Sequence, residues 1–197
     1  MEISENDEKQ KLEGFLEEVD RIIEIQNILA DRNILIRGAV TIDQIYSGKM
    51  VVFGPALINA YETENKIAVY PRICVDRKIL ERIWKLDNGE LSIRAQSRIT
   101  EDFDGIFFID YLKDALSFWY GFFKEHGPER ILDQGLDDFL MKHKEHVLNH
   151  LKLAMGKPFE NKLHWLRKYN NKLIRDYGLR LKEGNLDMNA YLIQDDR

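Results

Sequence analysis

The sequence predicts a mixed fold of helices and strands, α/β (α+β), in which a small sheet is followed by a C-terminal helical hairpin. Short β-branched or aromatic runs alternate with amphipathic segments as far as residue 112. Beyond that residue the apolar positions recur at helical spacing, and Gly-Lys-Pro at 156–158 separates two long amphipathic segments. We therefore divide the chain into an α/β domain over 1–112, a helical extension over 113–182 and a weakly ordered tail over 183–197.

The first elements alternate helix and strand. Apolar residues at helical spacing predict a helix over 8–30, and the β-branched run ILIRGAVTI predicts a strand over 34–42. A Ser-Gly-Lys turn and the run MVVF at 50–53 follow, which predicts a β-hairpin spanning 34–53. Pro55 is suited to the first position of a helix, which we expect to run through Lys66.

The later elements follow the same logic. The run PRICV predicts a strand over 71–75, and Asp76 is suited to cap a helix over 77–86. Residues 87–100 read as a loop plus a strand, and IFFIDY predicts a buried strand over 106–111. The two amphipathic segments of the extension predict paired helices over 135–155 and 159–177.

Composition indicates a globular protein of the cytoplasm. Hydrophobic residues make up 44% and charged residues 32% of the 197 residues. No apolar run approaches the roughly 18 residues that a membrane span needs, and the acidic, polar first residues are unlike a signal peptide. We therefore expect no membrane partner. The single cysteine, Cys74, lies in an apolar run, which favours a buried, reduced thiol.

Charge is unevenly distributed along the chain. Residues 141–182 carry 8 Lys, 3 Arg and 3 acidic residues, a net charge of about +8, although the whole chain has a net charge of −5. A basic helical module that binds nucleic acid or protein is therefore one alternative function. Its phosphate contacts would be Lys152, Lys157, Lys162, Arg167, Lys168, Lys172 and Arg175, with Trp165 and Tyr169 as stacking candidates. The helical spacing of Trp165 and Tyr169 with Leu166 and Leu173 favours core packing instead, so we do not expect a nucleic-acid partner.

Three histidines, spaced three and four residues apart, lie on one predicted helix. His143, His146 and His150 share a face, and two of them could hold a metal. Neighbouring lysines disfavour a cation there, so the pattern favours a solvated helix face.

Part of the sequence resembles class III nucleotidyl cyclases. Arg37-Gly38-Ala39-Val40 matches the family's R-x-G-I-like strand, and Phe53-Gly54 and Ala60 match the start and a packing position of the helix that follows. The stretches at 102–112 and 161–173 are similar to bacterial cyclase-like proteins, including pyrimidine cyclases of antiphage signalling. The resemblance implies a ferredoxin-like cyclase sheet, here partial, and a homodimer, because the family's active site lies between two subunits.

The resemblance also implies a two-metal reaction. In the family, two aspartates hold the metals, an Asn orients the ribose, and an Arg one helical turn later stabilises the pentavalent phosphorus. Both aspartates belong upstream of the aligned segment, so we expect no metal site in this chain. Mg or Mn is expected only if residues encoded further upstream supply the aspartates.

The remaining positions are altered. With Gly54 aligned, Ile58 stands at the Asn position, Glu62 at the Arg position and Val51 at the base-reading position. A shift of one residue recovers Asn59 but rotates the helix face by roughly 100°.

These substitutions leave weak candidates for a nucleotide site, namely Phe53, Gly54 and Asn59, at the start of a helix whose dipole favours anions. We expect a degenerate or truncated cyclase homologue without catalytic residues, which dimerises or binds a nucleotide as a regulator. The alternative is a fragment of an active cyclase that makes a cyclic nucleotide from an NTP.

Overall fold

A computed structural model describes residues 5–86, 89–126, 135–181 and 188–194. The described chain is mixed α/β, with much helix and a small mixed sheet, which confirms the coarse fold class. It divides into two compact units. The first unit comprises Met1–Gln26 and Ile36–Tyr111, and the second comprises Asn27–Leu35 and Leu112–Arg197. Residues 27–35, which the sequence assigns to the first domain, thus belong with the second unit.

The helices and strands have the following bounds. The helices are α1 (Glu5–Asp31), α2 (Pro55–Lys66), α3 (Arg77–Leu86), α4 (Glu90–Arg98), α5 (Tyr111–His126), α6 (Leu136–Ala154) and α7 (Glu160–Leu181), with a 3₁₀ turn at Met188–Tyr191. The strands are β1 (Gly38–Val40), β2 (Tyr46–Ser47), β3 (Val52–Phe53), β4 (Ile73–Val75), β5 (Ile99–Glu101) and β6 (Phe107–Ile109). The predicted helix over 55–66 is confirmed at both ends. So is the helix over 77–86, where the Asp76 carboxylate accepts a hydrogen bond from the Lys78 amide at 3.0 Å.

The first unit is built on a four-stranded sheet with the order β1-β4-β6-β5. β1 is parallel to β4, and β6 is antiparallel to both of its neighbours. The chain passes from β1 through the β2–β3 ribbon and α2 before it enters β4, the crossover that a parallel pair requires. All residues of β4 and β6 are buried, and Cys74 is among them, so the prediction of a buried thiol is confirmed.

The predicted hairpin over 34–53 is wrong. β1 pairs with β4, with Gly38 opposite Ile73, and a separate antiparallel ribbon joins β2 to β3, with Tyr46 opposite Phe53. Between β1 and β2 the Asp43 carboxylate accepts a hydrogen bond from the amide that follows it, at 2.7 Å. Such a local bond competes with a strand ladder, which is why the run of β-branched residues does not continue as one strand.

The prediction of a loop plus a strand over 87–100 is wrong for most of its length. Residues 90–98 form α4, and only the strand β5 follows as expected; positions 87 and 88 lie outside the described residues. α4 buries Leu91, Ser92 and Ala95 on one face. Only two of these three residues are apolar, so the helical period was too weak to read from the sequence.

Ion pairs tie α1 to α3 and α4 within the first unit. Glu8 pairs with Arg82 at 2.6 Å, and Asp20 accepts hydrogen bonds from Arg94 at 2.5 Å and from Arg98 at 2.7 Å. Burial alone would raise the pKa of Asp20, but the two guanidinium groups outweigh it and lower that pKa. The buried face of α1 between these pairs is apolar and consists of Leu12, Phe15, Leu16, Val19 and Ile23.

The second unit confirms the predicted helical hairpin. α6 and α7 pack on each other and are joined by a short link that contains Gly156 at φ 73°. Trp165 and Tyr169 are buried and stack with ring centroids 5.1 Å apart, and the Tyr169 hydroxyl accepts a hydrogen bond from the Leu112 amide. Their assignment to the core is confirmed.

The histidines of α6 do not form a solvated face. His143 is buried and its Nδ1 lies 3.0 Å from the Asn170 carboxamide oxygen, while His146 and His150 each contact a backbone carbonyl of residues 30–33. Burial lowers the pKa of His143 to about 4. The prediction failed because these partners come from elements that are distant in sequence.

The predicted tail over 183–197 falls partly outside the described residues. Within it, Met188–Tyr191 forms the 3₁₀ turn, and Met188, Tyr191 and Ile193 are buried. These three side chains anchor the segment to the second unit.

Candidate functional site

The candidate nucleotide residues lie where the β2–β3 ribbon meets α2. Phe53 ends β3, Gly54 precedes α2, and Asn59 lies in the second turn of that helix. Gly54 has φ 146°, and a Cβ atom there would stand 2.6 Å from the Gln44 carbonyl oxygen. Only glycine allows the ribbon to approach the helix start this closely.

The start of α2 offers few donors to an anion. Pro55 has no amide hydrogen, and the Ala56 amide donates to the Gln44 carbonyl oxygen at 3.1 Å. A protein carbonyl therefore already occupies the position at which a phosphate oxygen would have to bind.

Asn59 faces a negative charge. Its Nδ2 donates to the Asp43 carboxylate at 3.2 Å. Because Asp43 would repel a phosphate at this distance, Asn59 does not extend the helix start into a nucleotide site. The contact between Asn59 and Asp43 could not be predicted from the sequence, because Asp43 belongs to a loop without a periodic pattern.

The three positions that the resemblance aligns with catalytic residues of the cyclases lie on the surface of the ribbon and α2. Val51 and Ile58 are exposed, and Glu62 is exposed and pairs with Lys66 at 3.1 Å. Neither apolar side chain can donate a hydrogen bond to a base or a ribose, and Glu62 carries the charge opposite to that of the family's Arg.

Arg37 fixes the other end of α2. Its guanidinium pairs with Glu64 at 2.6 Å and donates to the Ala68 carbonyl oxygen at 3.3 Å. The Arg of the R-x-G-I-like strand thus fastens the helix to β1. The resemblance singled out Arg37, but its contacts with Glu64 and Ala68 could not be predicted from the sequence.

A large apolar surface covers the ribbon and the outer side of α2. None of the α2 residues is buried; the helix contacts β1 and β4, and its half-buried positions include Ala56 and Ala60. The rings of Tyr46 and Phe53 lie 4.9 Å apart on the ribbon. We call the following exposed residues the ribbon–helix surface: Ile45, Tyr46, Met50, Val51, Val52, Phe53, Leu57, Ile58 and Tyr61.

Exposure on this scale is unusual for a surface that stays in water. Met50 is 95% exposed, and Ile58 and Tyr61 are 58% and 68% exposed. Large apolar side chains exposed together on neighbouring elements are typical of interaction surfaces. This exposed surface could have been suspected from the sequence. The run MVVF at 50–53 does not alternate with polar residues, and the apolar residues Leu57, Ile58 and Tyr61 follow it closely.

Metal ligands do not converge in the described residues. In the ranges given above, no group of three or more His, Cys, Asp or Glu side chains is placed to hold an ion. The described side chains therefore do not supply the carboxylate pair of the two-metal centre that the resemblance implies.

Within the described residues, no helix is both long and apolar enough to cross a bilayer. No protein-family model, curated protein or solved structure matches this chain significantly.

Proposed function

We propose that this chain is a homologue of class III nucleotidyl cyclases that does not cyclise nucleotides and that pairs with a second copy through the ribbon–helix surface. One observation carries the proposal. The positions expected to read the base, orient the ribose and stabilise the phosphorus hold Val51, Ile58 and Glu62, and two of them form part of an exposed apolar patch.

The order of elements supports the family assignment. The R-x-G-I-like strand, the ribbon, Gly54 and α2 follow one another as the resemblance requires, and the crossover returns to a parallel strand. The partial ferredoxin-like cyclase sheet remains part of the proposal.

The chemistry of the site favours pairing over nucleotide binding. A phosphate near the start of α2 would meet the Gln44 carbonyl oxygen and the Asp43 carboxylate, which both repel it. A second copy would instead cover apolar side chains. Each side chain that becomes fully buried in this way stabilises the dimer by roughly 1.5–3 kcal/mol. The family's active site lies between subunits, which is why a second copy is the partner proposed here.

Sedimentation of two matched variants tests the pairing. Ile58→Lys places a charge on the ribbon–helix surface and is expected to weaken dimerisation at least tenfold, because a buried unpaired ammonium is costly. Ile93→Lys is the control, since Ile93 is 68% exposed on another helix of the same unit. Equal sedimentation of both variants and the unmodified chain at all concentrations would contradict the proposed interface.

A cyclase assay tests the lack of activity. The purified chain is incubated with Mn²⁺ and each of the four NTPs, and no cyclic product is expected. Robust formation of any cyclic nucleotide would show that the altered positions do not abolish the chemistry.

A second candidate function rests on the position of β1. This strand lies at one edge of the sheet, and its residues are only half-buried. In an active cyclase the strands that carry the aspartates would complete the sheet, so the chain would then be a fragment of an enzyme such as a pyrimidine cyclase of antiphage signalling. An in-frame upstream extension encoding two aspartates on strands would favour this candidate, and a stop codon directly upstream would exclude it.

A further inference from the structure

A basic groove lies in the second unit. It runs between the middle of α7 and residues 189–194 and has a volume of about 460 Å³. Pockets for small ligands have volumes of roughly 300–1,000 Å³, so the groove is large enough for one small molecule.

The charge of the groove has a single sign. Arg167, Lys168 and Arg175 line it, and none of its lining residues is acidic. Lys168 and Arg175 lie two turns apart on one face of α7, are exposed, and form no ion pair with a carboxylate of the described residues. Their charges are therefore available to an anion.

The opposite wall of the groove is held in place by a side-chain amide. The Asn171 Nδ2 donates to the Ile193 carbonyl oxygen at 2.8 Å, and its Oδ1 accepts a hydrogen bond from the Ile193 amide at 2.8 Å. Asn170 adds a bond from its Nδ2 to the Tyr191 carbonyl oxygen at 3.3 Å. A wall fixed in this way loses little conformational freedom when a ligand binds.

We propose that this groove binds a small organic phosphate. The phosphate would lie against Lys168 and Arg175, and the uncharged part of the ligand would contact Leu192 on the opposite wall. A nucleic-acid strand fits the site less well, because single-strand binding uses exposed aromatic rings and both Trp165 and Tyr169 are buried.

Titration calorimetry with pyrophosphate and with a nucleoside triphosphate, both without divalent metal, tests the proposal on the full chain. Lys168→Gln and Arg175→Gln are each expected to weaken binding at least tenfold, the loss of one charge-assisted contact. Lys172→Gln is the matched control: it removes the same charge from an exposed position of the same helix but does not line the groove, and less than a threefold effect is expected. A thermal unfolding transition at the same temperature as that of the unmodified chain shows that each variant is folded.

Two further readouts locate the ligand. Titration should shift the NMR signals of the Asn171 side-chain amide and the Ile193 backbone amide, and Asn59→Ala should leave binding unchanged because Asn59 lies at the other candidate site. The proposal is overturned if neither probe saturates at millimolar concentration, or if Lys172→Gln weakens binding as much as Lys168→Gln. It is also overturned if an RNA oligonucleotide binds while both small probes do not.

Discussion

Replacing Arg72 by methionine tests how the first unit is held together. Arg72 precedes β4, is 1% exposed and donates hydrogen bonds to Asp102 and to both carboxylate oxygens of Asp104, the latter at 2.5 and 3.2 Å. Burial alone would lower the pKa of Arg72, but the two carboxylates outweigh it and raise that pKa. The guanidinium also lies 5.0 Å from the Tyr70 ring.

The expected cost follows from the exposure of the partners. Breaking a buried ion pair costs about 3–5 kcal/mol, because it leaves an uncompensated charge. Asp102 and Asp104 are 14% and 31% exposed, so they can recover part of their hydration once Arg72 is gone. We therefore expect Arg72→Met to lower the free energy of unfolding by about 3 kcal/mol, the low end of that range.

Urea denaturation, followed by tryptophan fluorescence, measures the change. Arg77→Met is the control, since Arg77 is 60% exposed and pairs with Glu81 at 3.0 Å, a contact worth about 0.2–1 kcal/mol. Adding Asp102→Asn and Asp104→Asn to Arg72→Met should restore part of the loss, because the stranded charges are then removed. A cost of Arg72→Met no greater than that of Arg77→Met would refute the reasoning.

Other perturbations give equally definite expectations. The lowered pKa of His143 means that the unfolded chain binds a proton at a higher pH than the folded chain does, so the free energy of unfolding should fall as the pH drops from 6.5 to about 4. His143→Gln should reduce that slope. Gly54→Ala should cost about 1–3 kcal/mol of stability by thermal unfolding, whereas Gly14→Ala, within a helix and with open space around it, should stabilise by about 0.5–1 kcal/mol. Burial raises the pKa of the Cys74 thiol, so a thiol reagent should label it only after denaturant is added, and rapid labelling of the native chain would contradict its burial.

Local signals were sufficient for some elements. Pro55 fixes the start of α2, and the Asp76 side chain caps α3, so both helices could be read from a few neighbouring residues. The close approach of the ribbon to Gly54 was not predicted, because the Gln44 carbonyl oxygen that a Cβ atom would meet comes from the loop before the ribbon.

Partners that are distant in sequence explain what was missed. β1 pairs with β4 more than thirty residues away rather than with the neighbouring ribbon, and His143 is buried because Asn170 comes from another helix. In the candidate site, the Gln44 carbonyl oxygen and the Asp43 carboxylate come from a loop whose sequence shows no period. No local pattern reports such contacts, and they decide that the helix start disfavours an anion.

Oxidative footprinting of the methionines tests the proposed pairing most directly. Met50 lies on the ribbon–helix surface and is 95% exposed in one chain, whereas Met155 lies outside that surface and is 74% exposed. As the protein concentration rises, hydroxyl radicals should oxidise Met50 progressively more slowly while the rate at Met155 stays constant. A rate at Met50 that does not change with concentration, or one that changes equally at Met155, would contradict a second copy on this surface.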